Sequence, residues 1–145
     1  MKKTTPKTAT WKPVSYKKIK TWPEFCKASK TPVKVPFDVS MLPKGLAKFL
    51  IANYKLAIIF AYFRGGVKFD YRSGNGQYKY YAWWWNVETS DELPSGFGLS
   101  NPTADYDDEA SGVGSRLCSF DSSVTLHVMK HFNDLYVDLN LIKED

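Results

Sequence analysis

Apolar residues recur at helical spacing through "PKGLAKFLIANYKLAIIFAYFRGG". Leu46, Phe49, Leu50, Tyr54, Ala57, Ile58, Ala61 and Tyr62 form one stripe, and Ile51, Ile59, Phe60 and Phe63 widen it. The pattern predicts a helix over residues 43–64, buried on most sides, opened by Pro43 and ended by Gly65-Gly66. A second stripe, Val124, Val128, Phe132, Leu135 and Leu139, predicts a last helix over 122–141 with Asp121 or Ser122 as its cap. In "TWPEFCKAS" the Thr21–Glu24 pair has capping-box spacing and Pro23 falls in the first turn, which predicts a short helix over 22–29.

Between the long helices the period changes to two. "VKFDYR" (67–72) alternates, "SGNG" (73–76) suits a tight turn, and "QYKYYAWWWNV" returns, so a hairpin is expected over 67–87. Side chains alternate faces along a strand. Tyr78, Tyr80, Ala82 and Trp84 therefore share one face, and Lys79, Tyr81, Trp83 and Trp85 the other. Both faces are aromatic. Either helices and loops cover both, or one is left for a partner. Residues 88–112 read as loop, with Arg116 as a buried anchor for it, and "GVGSRLCSF" predicts a third strand at 113–119. Residues 30–42, with two prolines, read as an extended connection. The expected class is α+β: a small antiparallel sheet (hairpin 67–87 plus strand 113–119) with two main helices (43–64 and 122–141) and a short N-terminal helix.

Charge divides the chain further. Residues 1–36 carry ten lysines and one acid, a balance of +9, and the remainder carries −4, which together give the net +5. Residues 1–20, with Pro6, Pro13 and no acid, read as a basic extended arm, and 21–145 as a single domain of ordinary size. A basic arm on a mildly acidic body implies an anionic partner for the arm. The N-terminal lysines precede no apolar region, so no signal peptide is expected. The longest uninterrupted apolar run, near Leu56–Phe63, is too short to span a bilayer, so no membrane partner is expected.

Candidate chemistry is sparse. Cys26 and Cys118 form no CxxC pair, which suits buried reduced thiols. His127 and His131 stand at i and i+4 with Asp134 and Asp138 continuing the stripe, a spacing open to metal chelation; a solvated polar face explains it equally well, and no Glu follows His127. "DYDDE" (105–109) lacks calcium-loop spacing, and "SGFGLS" lacks the leading basic residue of the aromatic strand motif of RNA-recognition domains. Nothing pairs a nucleophile with a base. The reading is therefore not an enzyme, with no cofactor and no metal.

The segments "NYKLAIIFAYFRGG", "YKYYAWWW", "GFGLS", "VGSRLC" and "HFNDLY" occur in that order. They resemble a family of small uncharacterised proteins of phages and prophages of gut Bacteroidales, over roughly residues 20–142. Ala82 stands where that family tends to have proline, and "WWW" where it has a Trp-Phe pair. The resemblance implies a phage setting and no catalytic residues.

The combined expectation is a non-enzymatic phage protein that acts by binding, as a virion or assembly component, located in the virion or the cytoplasm of the bacterial host. Lys2, Lys3, Lys17, Lys18 and Lys20 are the expected anion contacts on a neighbouring subunit or nucleic acid. Tyr81, Trp83 and Trp85 are the expected protein-docking anchors, with Arg72 and Lys79 beside them. A cytoplasmic binder of single-stranded nucleic acid, or an inhibitor of a host defence enzyme, are the alternatives.

Overall fold

A computed structural model describes residues 15–67, 69, 78–87, 98–107 and 115–140; for 84–87, 98–107 and 115 the description is of the backbone alone. The fold is mixed α+β. A 3-10 turn, Tyr16–Lys18, precedes α1 (Trp22–Ser29) and α2 (Lys44–Phe63). Then come β1 (Lys79–Val87), β2 (Gly98–Asp107), a second 3-10 turn (Ser115–Leu117), β3 (Cys118–Ser119), α3 (Ser122–His131) and α4 (Asn133–Asn140).

The helix ends follow from local chemistry. Thr21 Oγ1 accepts from Glu24 N–H, and Glu24 Oε2 accepts from the N–H groups of Thr21 at 3.0 Å and Lys20 at 2.8 Å, a complete capping box. Asp121 Oδ1 accepts from Ser123 N–H at 2.7 Å and caps α3. α2 stops where Gly65 and Gly66 take φ of 62° and 76°, a left-handed region that disfavours residues with a Cβ.

The core lies where α2, α3 and α4 meet. Ala52, Leu56, Ile59, Phe60 and Phe63 of α2 pack with Val124, Val128 and Met129 of α3 and with Phe132, Leu135 and Tyr136. α1 adds Phe25 and Cys26. α2 is long and apolar enough to cross a membrane, more so than its uninterrupted apolar run implied, because Lys44, Lys48 and Lys55 interrupt the sequence without ending the helix. Its buried residues begin only at Ala52.

The expected last helix is two helices. Phe132 leaves helical geometry (φ −123°, ψ 33°) and stays buried, and the chain restarts at Asn133 with Asp134 in the favourable first turn. The apolar stripe runs on across the break, and Leu135 and Tyr136 of α4 stay in the core.

The sheet has the order β2-β1-β3, antiparallel throughout. The segment 98–107, expected as loop, is an edge strand paired with β1 from Lys79↔Asp107 to Val87↔Gly98. Its sequence, "GLSNPTADYD", lacks strand propensity and contains Pro102. The register shifts there: Trp83 faces Thr103 but Trp85 faces Ser100, which leaves an extra residue on β2 beside the proline. A bulge on an edge strand is where proline is tolerated. Of the expected strand 67–72, Val67 and Phe69 belong to no strand, and 68 and 70–77 lie outside the described residues. Of the expected strand 113–119, residues 113 and 114 lie outside the described residues, Ser115–Leu117 form the 3-10 turn and Cys118–Ser119 are extended. Arg116, expected as a buried anchor, is exposed. Arg64 ties down the segment before α3, donating through Nη1 to the carbonyl oxygens of Cys118 at 2.8 Å and Arg116 at 3.3 Å.

Candidate binding site at the base of the basic leader

The residues just before α1 do not stand free of the body. Ile19 is 6% exposed and belongs to the core cluster, with Tyr16 packed against it. His127, one helical turn before His131 on α3, sets its Nε2 2.7 Å from the carbonyl oxygen of Ile19. The Tyr16 ring meets His127 edge-on at 5.0 Å and lies 6.0 Å from Phe63, and its hydroxyl donates to Ser123 Oγ at 3.1 Å. Apolar burial, ring contacts and two hydrogen bonds thus fix residues 16–19 to α2 and α3. The Glu24 carboxylate holds Lys20 N–H immediately after.

This fixing decides where the lysines point. With Ile19 turned inward, Lys17, Lys18 and Lys20 are all exposed. Three cations within four residues are held in one place, at the junction with the lysine-rich residues 1–14. Nearby, the rings of His127 and His131 are 4.5 Å apart. His131 is held below the usual histidine range by burial, then by the neighbouring His127, Lys20 and Lys130, with Glu24 opposing. Lys20 and Lys130 thus lie close enough to His131 to add positive charge at this spot, which favours an anion. His127 Nε2 is occupied by a backbone carbonyl, and among the described residues no group of three or more His, Cys, Asp and Glu side chains converges to hold a metal ion.

The second group expected from the sequence lies on β1. Ala82 packs against the core, and Tyr80 gives its carbonyl to Thr125 Oγ1 at 3.0 Å, so this face is turned to the helices. The opposite face is covered at one end. Lys79 is only 1% exposed, its ammonium 5.8 Å from the Phe69 ring, which itself packs on Phe120 at 4.6 Å. Burial removes Lys79 from the solvent-facing cations. Further along, Trp83 is 38% exposed and Tyr81 is half-buried. Trp85 lies opposite Ser100 in the register. Lys2, Lys3 and Arg72 lie outside the described residues.

The latch formed by Ile19, Tyr16 and His127 has no counterpart in the sequence reading. Its one visible signal is Ile19, a lone aliphatic residue inside "YKKIK". Comparison with protein-family models, with curated proteins and with solved structures finds no match.

Proposed function

We propose that this is a non-enzymatic binding protein whose lysine-rich leader grips an anionic partner, with nucleic acid as the partner of best-fitting chemistry. One observation carries the reading: burial of Ile19 fixes Lys17, Lys18 and Lys20 outward at the root of a leader whose charged side chains are all lysines. A cation held in place loses less conformational entropy on contact than one on a free tail. The half-exposed ring of Trp83 suits stacking or docking beside such a grip. The resemblance to phage proteins supports a virion or assembly component, in which packaged nucleic acid or an acidic face of a neighbouring subunit is the partner. A mobility-shift titration of the full chain on single-stranded nucleic acid tests the grip. Mass spectrometry of purified particles tests the setting, and absence from mature virions argues against it.

A further inference from the structure

Six of the nine exposed large apolar residues among those described fall between residues 33 and 49: Val33, Phe37, Met41, Leu42, Leu46 and Phe49. No residue from 30 through 51 is buried. The segment is nonetheless a formed surface. Trp22 Nε1–H donates to the carbonyl of Val33 at 2.8 Å, and Phe37 meets the Tyr54 ring edge-on at 5.4 Å. Leu42 N–H donates to the carbonyl of Val39 at 3.0 Å. The result is a ledge in which residues 33–42 are tied to α1 and α2 and continue into α2's unburied first turns. Only 28% of α2's most apolar stretch is buried, which leaves this end without apolar cover.

The charges around the ledge select what covers it. Lys30, Lys34, Lys44 and Lys48 are exposed, against the single acid Asp38. The first turn of α2 has no side-chain cap, so its N–H groups add a positive end of the helix dipole. A second copy of the chain would set four lysines against four. An anionic surface matches both the charges and the dipole. Met41, at 93% exposure, stands clear of the body, and the apolar residues come from two segments of chain beside an open hollow lined by residues 34–39. Such a protruding apolar tip ringed by lysines suits an interface that supplies hydrocarbon at one depth and negative charge just above it.

We infer that the ledge around Met41 and Leu42 docks on an anionic lipid surface, with Met41, Leu42 and Leu46 entering the headgroup boundary and Lys34, Lys44 and Lys48 pairing with the lipid charges. This contact uses residues other than those of the leader. The test is flotation of the full chain with vesicles of neutral lipid alone and of neutral lipid with one-third anionic lipid. Binding to the anionic vesicles is expected to be at least about tenfold stronger. Met41→Ser with Leu42→Ser, both exposed and tolerable to the fold, should weaken that binding by about tenfold or more with an unchanged circular-dichroism melt and no change in charge. The leader also carries lysines, so the double variant is the decisive arm. If it binds anionic vesicles as well as the parent does, the leader alone is responsible and the inference is overturned. Equal binding to both vesicle types overturns it, as does no binding to either. So does a dimer in sedimentation that the double variant dissolves, which would make a second copy the occupant.

Discussion

His127 Nε2 on α3 sits 2.7 Å from the carbonyl oxygen of Ile19, joining the last third of the chain to the residues that lead into the first helix. A carbonyl can only accept, so Nε2 carries the proton and donates. This bond and the burial of Ile19 together decide that the lysines beside it face outward.

Loss of either half of the latch should free the leader's base. Ile19→Ala should cost about 2 kcal/mol or more, as truncation of a buried aliphatic does. His127→Phe keeps a ring against Tyr16 but loses the donor, and should cost about 1 kcal/mol. In both variants trypsin should cut after Lys17, Lys18 and Lys20 faster than in the parent while the melt stays cooperative. Unchanged cleavage would show that these residues are not held as described.

The neighbouring histidine supplies a pH dependence. His131 is held below its ordinary 6.5, first by burial and then by His127, Lys20 and Lys130. The unfolded chain then binds the proton more readily than the folded one near and below that pH. Stability should therefore be full above about 6.5 and fall as pH drops through the folded value. Denaturant midpoints between pH 7 and 5 check this, and His131→Gln should flatten the fall. Glu24, held down by the N–H of Lys20, titrates below its ordinary 4.5 and stays out of that window. Stability that rises from pH 7 to 5 would contradict the assignment.

A buried hydroxyl relay ties the sheet to α3. Ser119 Oγ and Thr125 Oγ1 are 2.7 Å apart, and Thr125 Oγ1 lies 3.0 Å from the carbonyl of Tyr80. Asp121 N–H reaches Ser119 Oγ at 3.3 Å. With one proton per hydroxyl, a chain from Asp121 N–H through Ser119 and Thr125 to Tyr80 uses each proton once. The carbonyl of Asp121, 2.6 Å from Ser119 Oγ, competes for the Ser119 proton. Thr125→Val should cost about 1–3 kcal/mol by chemical denaturation, because it removes the buried hydroxyl that bonds both Ser119 and the Tyr80 carbonyl. Thr125→Ser should recover most of that. Equal costs for the two would remove the relay from the account.

The thiols should be silent in the folded protein. Cys118 is buried, and desolvation pushes its thiol up to about 11 despite Arg64 and Lys79 pulling the other way. At pH 8 about one molecule in a thousand then carries the thiolate. Burial raises Cys26 as well. A thiol-reactive dye should label neither until denaturant unfolds the chain, and rapid native labelling would contradict their placement.

Elements set by local chemistry were legible in the sequence. Thr21–Glu24 marked α1 and the Gly65-Gly66 pair marked the end of α2, because caps and left-handed glycines act within a few residues. Elements set by distant partners were not. The strand 98–107 has little propensity of its own and exists through pairing to β1. The break at Phe132 leaves no mark in the sequence, where the apolar stripe runs on unchanged through Leu135 and Leu139. At the candidate site, Lys17, Lys18 and Lys20 were visible as charge, but the residue that aims them was not. Lys79 read as a surface cation from its polarity alone, and its place beside the ring of Phe69 is a long-range contact that the sequence does not show. The ledge from Val33 to Phe49 read as connection and core helix, since apolar spacing does not report which end of a helix is covered.

The salt dependence of nucleic-acid binding tests the central claim most directly. For the full chain on a short single strand, the logarithm of the binding constant should fall linearly with the logarithm of salt concentration. Replacing Lys17, Lys18 and Lys20 by Glu should reduce that slope by about 2, since each lost phosphate contact on a single strand removes about 0.7. Binding that is absent, or that ignores salt and these three lysines, would contradict a leader that grips by charge.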